Sequence, residues 1–324
     1  MTPELLDEAR GLFAAHGLDA GLLVPAAGVA NRVLLSPTHV LRLNEGRFAD
    51  AFAFEAAVLD RLPAAVPHPR MVGHGQRATG GEYLLLTRLP GRVLVEEIAA
   101  VPPRELRPLL TDLGRVVAEL HRMPVEPWMR SSWVADALAG KWENAYHAPP
   151  HAFAELVSAA RLVRPDAAHV LDDVHAFLAE RATGVSACFD ETEPGVFCHT
   201  DLHPGNVIVS DGAVTGLIDF EGSRVAVADT ELDMLVRTLR LSKAGGDEPA
   251  QGRAALLAAF IKGYPAIAGH PRLVDRLLTY DALWQLVQCH HWRPGARWTA
   301  DPVIELARVL DGSRRAEFTA LLGG

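Results

Sequence analysis

Cysteine is scarce: Cys188, Cys198 and Cys289 are the only three in 324 residues, and no pair has the spacing of a metal-binding Cys-x-x-Cys. A disulfide framework and a thiolate metal site are thereby excluded, and reduced, buried thiols are expected. Aromatic residues make up only 6% of the chain and nowhere interleave with a block of Lys and Arg, and the net charge is −9. A footprint for a phosphate backbone is absent, so nucleic acid is not expected as a partner. No apolar run approaches a membrane span, and "MTPELLDEARGLFAAHG" places acids where a signal peptide carries basic residues. A soluble, cytoplasmic chain without a membrane partner is expected. There is no internal repeat and no low-complexity tract. What is present is ordinary globular composition, 49% hydrophobic and 22% charged, at a length that accommodates two domains or one domain with two lobes.

The order of periodicities predicts an uneven division. "PELLDEARGLFAAHG" has helical spacing with Gly17 as its stop. "GLLVPAAGVANRVLLSPTHVLRLNEG" reads as three strands joined by turns. "RFADAFAFEAAVLDRLPAAVPHP" returns to helix and ends at prolines, and "EYLLLTRLPG" is a short apolar strand closing on Pro90-Gly91. Beyond it "RELRPLLTDLGRVVAELHRM", "PHAFAELVSAARLV" and "AAHVLDDVHAFLAERA" are helical, a Trp-containing stretch separates the first two, and a long helical remainder follows Asp229. The expected class is α+β, with a small β-rich lobe over about residues 1–88, a hinge near 86–92, and a larger helical lobe over 89–324.

One polar stretch interrupts that larger lobe: "VFCHTDLHPGNVIVSDGAVTGLIDFEGS", residues 196–223. Asp201 and Asn206 stand either side of a Pro-Gly turn, and two apolar strands joined by Asp211-Gly212 lead from there to Asp219. An Asp-Gly hairpin returns the chain beside its start, so Asp201, Asn206 and Asp219 are expected to converge at one rim. A carboxylate able to accept a hydroxyl proton, with an amide oxygen and a second carboxylate as hard ligands, is the set that Mg²⁺-dependent phosphoryl transfer requires.

The run His199-x-Asp201, Asn206 and Ile218-Asp219-Phe220-Glu221 resembles the catalytic and metal-binding segments of the aminoglycoside phosphotransferase family, whose kinase-like fold is shared with choline kinases and macrolide kinases. Glu221 stands where protein kinases have the glycine of Asp-Phe-Gly, which favours the small-molecule branch. The resemblance implies a two-lobed, protein-kinase-like fold and an ATP- or GTP-dependent O-phosphotransferase. It implies Asp201 as the base, Asn206 and Asp219 as Mg²⁺ ligands, and His199 as loop support. Arg42 in "HVLRL" and Glu55 in "FAFEAAVLDRL" match the phosphate-binding cation and its helix partner, with Arg in place of the commoner Lys. "AAGVANRVLL" lies where the phosphate-covering turn belongs, with Gly28 and Asn31 as its contacts. Thr87, Arg88 and Leu89 match the hinge that meets the purine. "LGRVVAELHRM" matches a helix ending in Leu-His, and Asp229 and Asp233 in "VADTELDML" are expected to brace the loop.

The acceptor is expected to be a small molecule bearing a hydroxyl. Tyr280, Trp284 and Gln288 recur every four residues along one helix face, with Asp281 and His291 able to approach it. With Glu221 these residues suit a cationic, hydroxyl-rich ligand such as an aminoglycoside, and hence a role in antibiotic resistance, with macrolide-, homoserine- or choline-like acceptors as alternatives. Two rival readings are weighed beside this one. His199-x-Asp201-x-His203 could mark a metal-dependent hydrolase, and the same fold could serve as a kinase-like binding module without catalysis.

Overall fold

The computed structural model describes residues 2–26, 31–44, 51–130, 150–182, 195–241, 250–293 and 300–323. The chain divides into two compact units, Met1–Ala100 with His203–Ser223, and Val101–Leu202 with Arg224–Gly324.

In the first unit, helix α1 (Pro3–Ala15) precedes strands β1 (Val24–Ala26), β2 (Arg32–Leu35) and β3 (His39–Leu43), helix α2 (Ala51–Leu59), and strands β4 (Met71–Gln76) and β5 (Glu82–Thr87). The five strands form one antiparallel sheet in the order β1-β2-β3-β5-β4. The alternation of side chains along β3 decides what each face carries. Leu41 and Leu43 join Leu34 and Leu85 in a core with Ala9 and Phe13 of α1, while Arg42 points the other way and meets Glu55 of α2. β4 was not foreseen, because "MVGHGQ" carries two glycines and no regular alternation. It pairs with β5 through an irregularity between Met71 and Gly73, where an added Cβ on Gly73 would strike the His16 ring at 2.0 Å. The same unit contains β6 (Arg92–Val93), helix α3 (Leu94–Ala100), and the returning hairpin described below.

In the second unit, β7 (Val196–Cys198) pairs antiparallel with Arg224–Ala226. In the first unit, the hairpin β8 (Val207–Ser210) and β9 (Ala213–Leu217) turns at Asp211 and Gly212, both left-handed with φ of 52° and 76°. Those signs at both central positions are what an Asp-Gly turn supplies to a tight hairpin. β6 adds to the edge of β8.

Among the described residues the second unit also contains the helices α4 (Pro103–Leu120), α5 (Phe153–Val163), α6 (Ala168–Arg181), α7 (Thr230–Leu241), α8 (Ala250–Gly263), α9 (Leu273–His291), α10 (Pro302–Leu310) and α11 (Ser313–Leu322). α9 is buried over most of its circumference, as expected of a helix enclosed by others. An interior ionic network joins four helices: Asp281 of α9 accepts from Arg237 of α7 at 3.1 Å and pairs with Arg314 of α11 at 2.8 Å, while Arg314 also reaches Glu305 of α10. Among the described residues no helix is long and apolar enough to cross a membrane.

α4 and α8 approach closely because glycine stands at their crossing. An added Cβ would lie 2.0 Å from the Thr111 carbonyl oxygen at Gly263, and 2.2 Å from that of Phe260 at Gly114. Alanine is the better helix former by about 1 kcal/mol, but overpacking against backbone costs about 1–3 kcal/mol. Gly263→Ala is therefore expected to lower the denaturant midpoint. Gly11→Ala in α1, where nothing lies within 4 Å of the added carbon, is expected to raise it by the propensity gain alone. A Gly263→Ala midpoint at or above wild type would show that the helices can separate without cost.

Candidate active site

Arg42 is the centre of the polar cluster in the first unit. Its side chain is buried, and one terminal nitrogen donates to both Glu55 oxygens at 2.8 and 2.6 Å. The other donates to Asp219 Oδ1 at 2.7 Å and Glu221 Oε2 at 2.8 Å. The planar fork makes this possible, since a lysine ammonium at one point could not span three carboxylates with the same geometry. Lys141 is the first lysine in the chain, so within this strand-rich segment the role falls to arginine. The guanidinium also lies 4.9 Å from the centre of the Phe52 ring. Asn31 donates to Glu221 at 2.9 Å, and the Phe220 amide donates to Glu55 at 3.1 Å.

One guanidinium facing three carboxylates leaves the cluster negative. Burial pushes the Glu55 carboxyl up; Arg42 opposes that shift, and Asp219 and Glu221 add to it. Burial works against a charged Arg42, yet the three acids more than compensate and hold its proton more tightly than usual. Carboxylate oxygens of Glu55, Asp219 and Glu221 lie within 4.8 Å of one another. An all-oxygen, net-negative donor set of this kind fits a hard divalent cation such as Mg²⁺.

The hairpin sets Asn206 beside this cluster's chain segment. The Ile218 amide donates to the Asn206 carbonyl at 3.0 Å, next to the Val207–Leu217 pairing, so the two arms begin and end together. Asp219 follows in a left-handed conformation, φ 71° and ψ 60°, ahead of the short turn Phe220–Gly222. For a residue other than glycine this backbone carries strain of about 1–3 kcal/mol, which persists only where neighbours impose it. Here the Arg42 bond to the side chain and the Glu55 bond to the next amide do so.

In the second unit the segment after β7 bends sharply. Thr200 has φ 63°, a true outlier for a β-branched residue. The buried Glu231 carboxylate accepts the amide of His199, and that of Thr200 at 3.3–3.4 Å. The Asp201 amide donates to His199 Nδ1 at 3.4 Å, which makes His199 a support of the bend. Asp229 and Asp233, the expected braces, are also engaged by other side chains. Asp229 pairs with Arg276 at 2.7 Å and accepts from Tyr280, and Asp233 pairs with Arg237. Glu231 is a brace of the loop that the sequence did not single out. Asp229 and Asp233 lie four residues apart, on one side of the helix start, whereas Glu231 points away from them. Burial opposes ionisation of Glu231, but the neighbouring His121 and His199 side chains and the His199 amide outweigh it and keep the carboxyl below its ordinary value.

The remaining expected positions are spread through the two units. Gly28 lies outside the described residues. The Thr87 amide donates to the Arg70 carbonyl and the Arg88 amide to Thr38, at 2.9 and 2.8 Å, so those two donors are committed within the sheet region. The Leu89 side chain covers Gly216 of β9. Tyr280 and Asp281 are buried and engaged by Asp229 and by Arg237 and Arg314 respectively. Trp284 is half-buried with the Arg237 guanidinium 4.2 Å from its ring centre, and Gln288 is half-buried near the end of α9.

A small antiparallel sheet unit joined to a helical one, with the acids and cation described, defines a kinase-like phosphotransferase. The phosphotransferase enzyme family is matched over residues 22–270, and the chain belongs to it. The family match makes it a phosphotransferase. A comparison with curated protein sequences gives no significant match. Among solved structures, the chain is similar to aminoglycoside 2'-phosphotransferase-IIIa in its GDP complex, with TM-score 0.66, 16% identity, and 98% and 100% of the two chains covered. It is also similar to APH(2'')-IIa, solved with streptomycin and ATP and with gentamicin. For the streptomycin complex the TM-score is 0.63 at 15% identity, with 98% of each chain covered. APH(3'')-Id from Streptomyces rimosus matches with TM-score 0.56 and 22% identity over 90% of this chain and 98% of that one. At these identities the likeness establishes the fold.

Proposed function

We propose that the protein transfers the terminal phosphoryl group of ATP or GTP to a hydroxyl of a cationic, hydroxyl-rich small molecule of the aminoglycoside or amino-sugar class. The observation that carries this reading is the buried Arg42, held by Glu55 and meeting Asp219. A cation fixed by one acid and facing another is the preorganised element that phosphate binding requires. Asp201 accepts the proton of the acceptor hydroxyl, and Arg42 turns from Asp219 and Glu221 to the phosphate oxygens. Asn206 and Asp219 would hold Mg²⁺, and Glu221 lies within metal-ligand range of Asp219. When bound, the ion neutralises charge on the phosphates. Leu89 carries the hinge contact to the purine, since the amides of Thr87 and Arg88 are already donated.

The region of about residues 1–88 binds the nucleotide in this reading and 89–324 the acceptor, with Trp284 and Gln288 as the α9 side chains best placed for contact. Streptomycin and gentamicin, the ligands of APH(2'')-IIa, support the acceptor class. The test is a nucleotide-consumption screen with ATP and GTP against aminoglycosides, macrolides, amino alcohols and neutral sugars. Consumption is expected with cationic acceptors. Turnover confined to neutral ones defeats the acceptor class, and no turnover with any acceptor favours a binding module.

A further inference from the structure

We infer that Glu231 is the positioning residue for Asp201, holding the backbone of His199 and Thr200 in the bend that aims the next side chain. The inference rests on the assignment of Asp201 as base, and it adds a residue to that site. Three observations in the second unit carry it. Glu231 is fully buried, and its two oxygens take the amides of both residues that precede Asp201. The bend contains Thr200 in the left-handed region, where a β-branched residue stays only if its surroundings insist. Glu231 is in turn held from behind. His121 Nε2 stands 3.6 Å from Glu231 Oε1, and His121 Nδ1 hydrogen-bonds the Tyr264 hydroxyl at 3.2 Å, with the two rings edge-on at 5.4 Å.

His121 caps α4 and Tyr264 directly follows α8, the two helices that touch through Gly114 and Gly263. The close helix crossing thus brings His121 against Tyr264, His121 steadies Glu231, and Glu231 fixes the bend. Cys198, His121 and Glu231 also lie within metal-ligand range of each other. However, the Cys198 thiol donates toward the carbonyls of Ala226 and Val227, and the Glu231 oxygens are occupied by amides, so the cluster serves as a hydrogen-bonded support.

Hydrogen exchange and nucleotide turnover with Mg·ATP and Mg·GTP test this in the full chain. In Glu231→Gln, which preserves side-chain shape, the amides of His199 and Thr200 are expected to exchange about tenfold faster or more, the loss of one charge-assisted bond. In the same variant kcat falls by about tenfold or more while the nucleotide KM stays within about twofold, a split that general destabilisation does not produce. In an Asp201→Asn background Glu231→Gln is expected to add no further loss, because the two act as one unit. Thr200→Gly placed in Glu231→Gln restores much of kcat, since glycine adopts the left-handed bend unaided. Unchanged exchange in Glu231→Gln, no recovery with Thr200→Gly, or stoichiometric metal bound at Cys198, His121 and Glu231 overturns the proposal. Wild-type protein that turns over no nucleotide, yet shows the exchange difference, tells against the assigned chemistry and leaves the clamp standing.

Discussion

Asp201→Ala loses turnover by about 10²- to 10⁴-fold, the range general-base catalysis supplies, while nucleotide affinity stays within about twofold of wild type. The two parameters separate because the carboxylate acts on the acceptor hydroxyl and the nucleotide is held by other groups. The backbone at this position is tied independently of the side chain: the Asp201 amide donates to His199 Nδ1, and Glu231 accepts the amides before it. Removing the carboxylate therefore leaves the loop in place, and the loss reads on chemistry. Asp201→Asn keeps the shape without the basicity and should fall equally far. Single-turnover rates with an acceptor from the screen, beside a nucleotide titration of the same preparations, check the split. An Asp201→Ala variant turning over at the wild-type rate would falsify the assigned role.

Asp219→Ala is expected to remove the gain in nucleotide affinity that Mg²⁺ confers, by about tenfold or more, while binding without the metal changes little. Its carboxylate is one of three drawn to Arg42, and its loss leaves the buried guanidinium with both oxygens of Glu55 and one of Glu221. The cation thus remains compensated, and the uncompensated-charge penalty of a broken buried pair does not arise. Alanine at φ 71° costs about 1–2 kcal/mol of backbone strain, so Asp219→Asn, which tolerates that conformation better, separates a stability effect from a ligand effect. Titration of nucleotide with and without Mg²⁺ is the measurement. The same Mg²⁺ dependence in wild type and both variants would remove Asp219 from the metal site.

Much of the architecture was legible in local pattern. Leu41, Arg42 and Leu43 alternate as a strand must, so one face of β3 joins the α1 core and the other presents the cation to Glu55. Asp211-Gly212 announced its hairpin because two consecutive positive φ values favour those residues. Local pattern failed where the decisive neighbour is distant in the chain. β4 is recognised by its pairing with β5 rather than by its composition. β7 pairs with Arg224–Ala226 across the whole intervening hairpin, and nothing in either tripeptide indicates the other.

Tyr280, Trp284 and Gln288 do share one helix, as their spacing required, but spacing alone leaves open which side of α9 meets other helices. α5, α7, α10 and α11 surround it and take Tyr280 and Asp281 inward. In the same way the helix register of Asp229, Glu231 and Asp233 was readable, while their partners were not. Arg276, Arg237 and the amides of His199 and Thr200 come from separate segments. The order of chemically able residues, the periods of strands and helices, and the turn at Asp211 followed from the sequence itself, because each depends on neighbours a few bonds away. The three-carboxylate grip on Arg42, the strained backbone at Thr200 and Asp219, and the hold of Glu231 on the His199 and Thr200 amides were decided by tertiary packing. Each depends on which distant groups share a buried volume where unpaired charge and unpaired amides are too costly to leave alone.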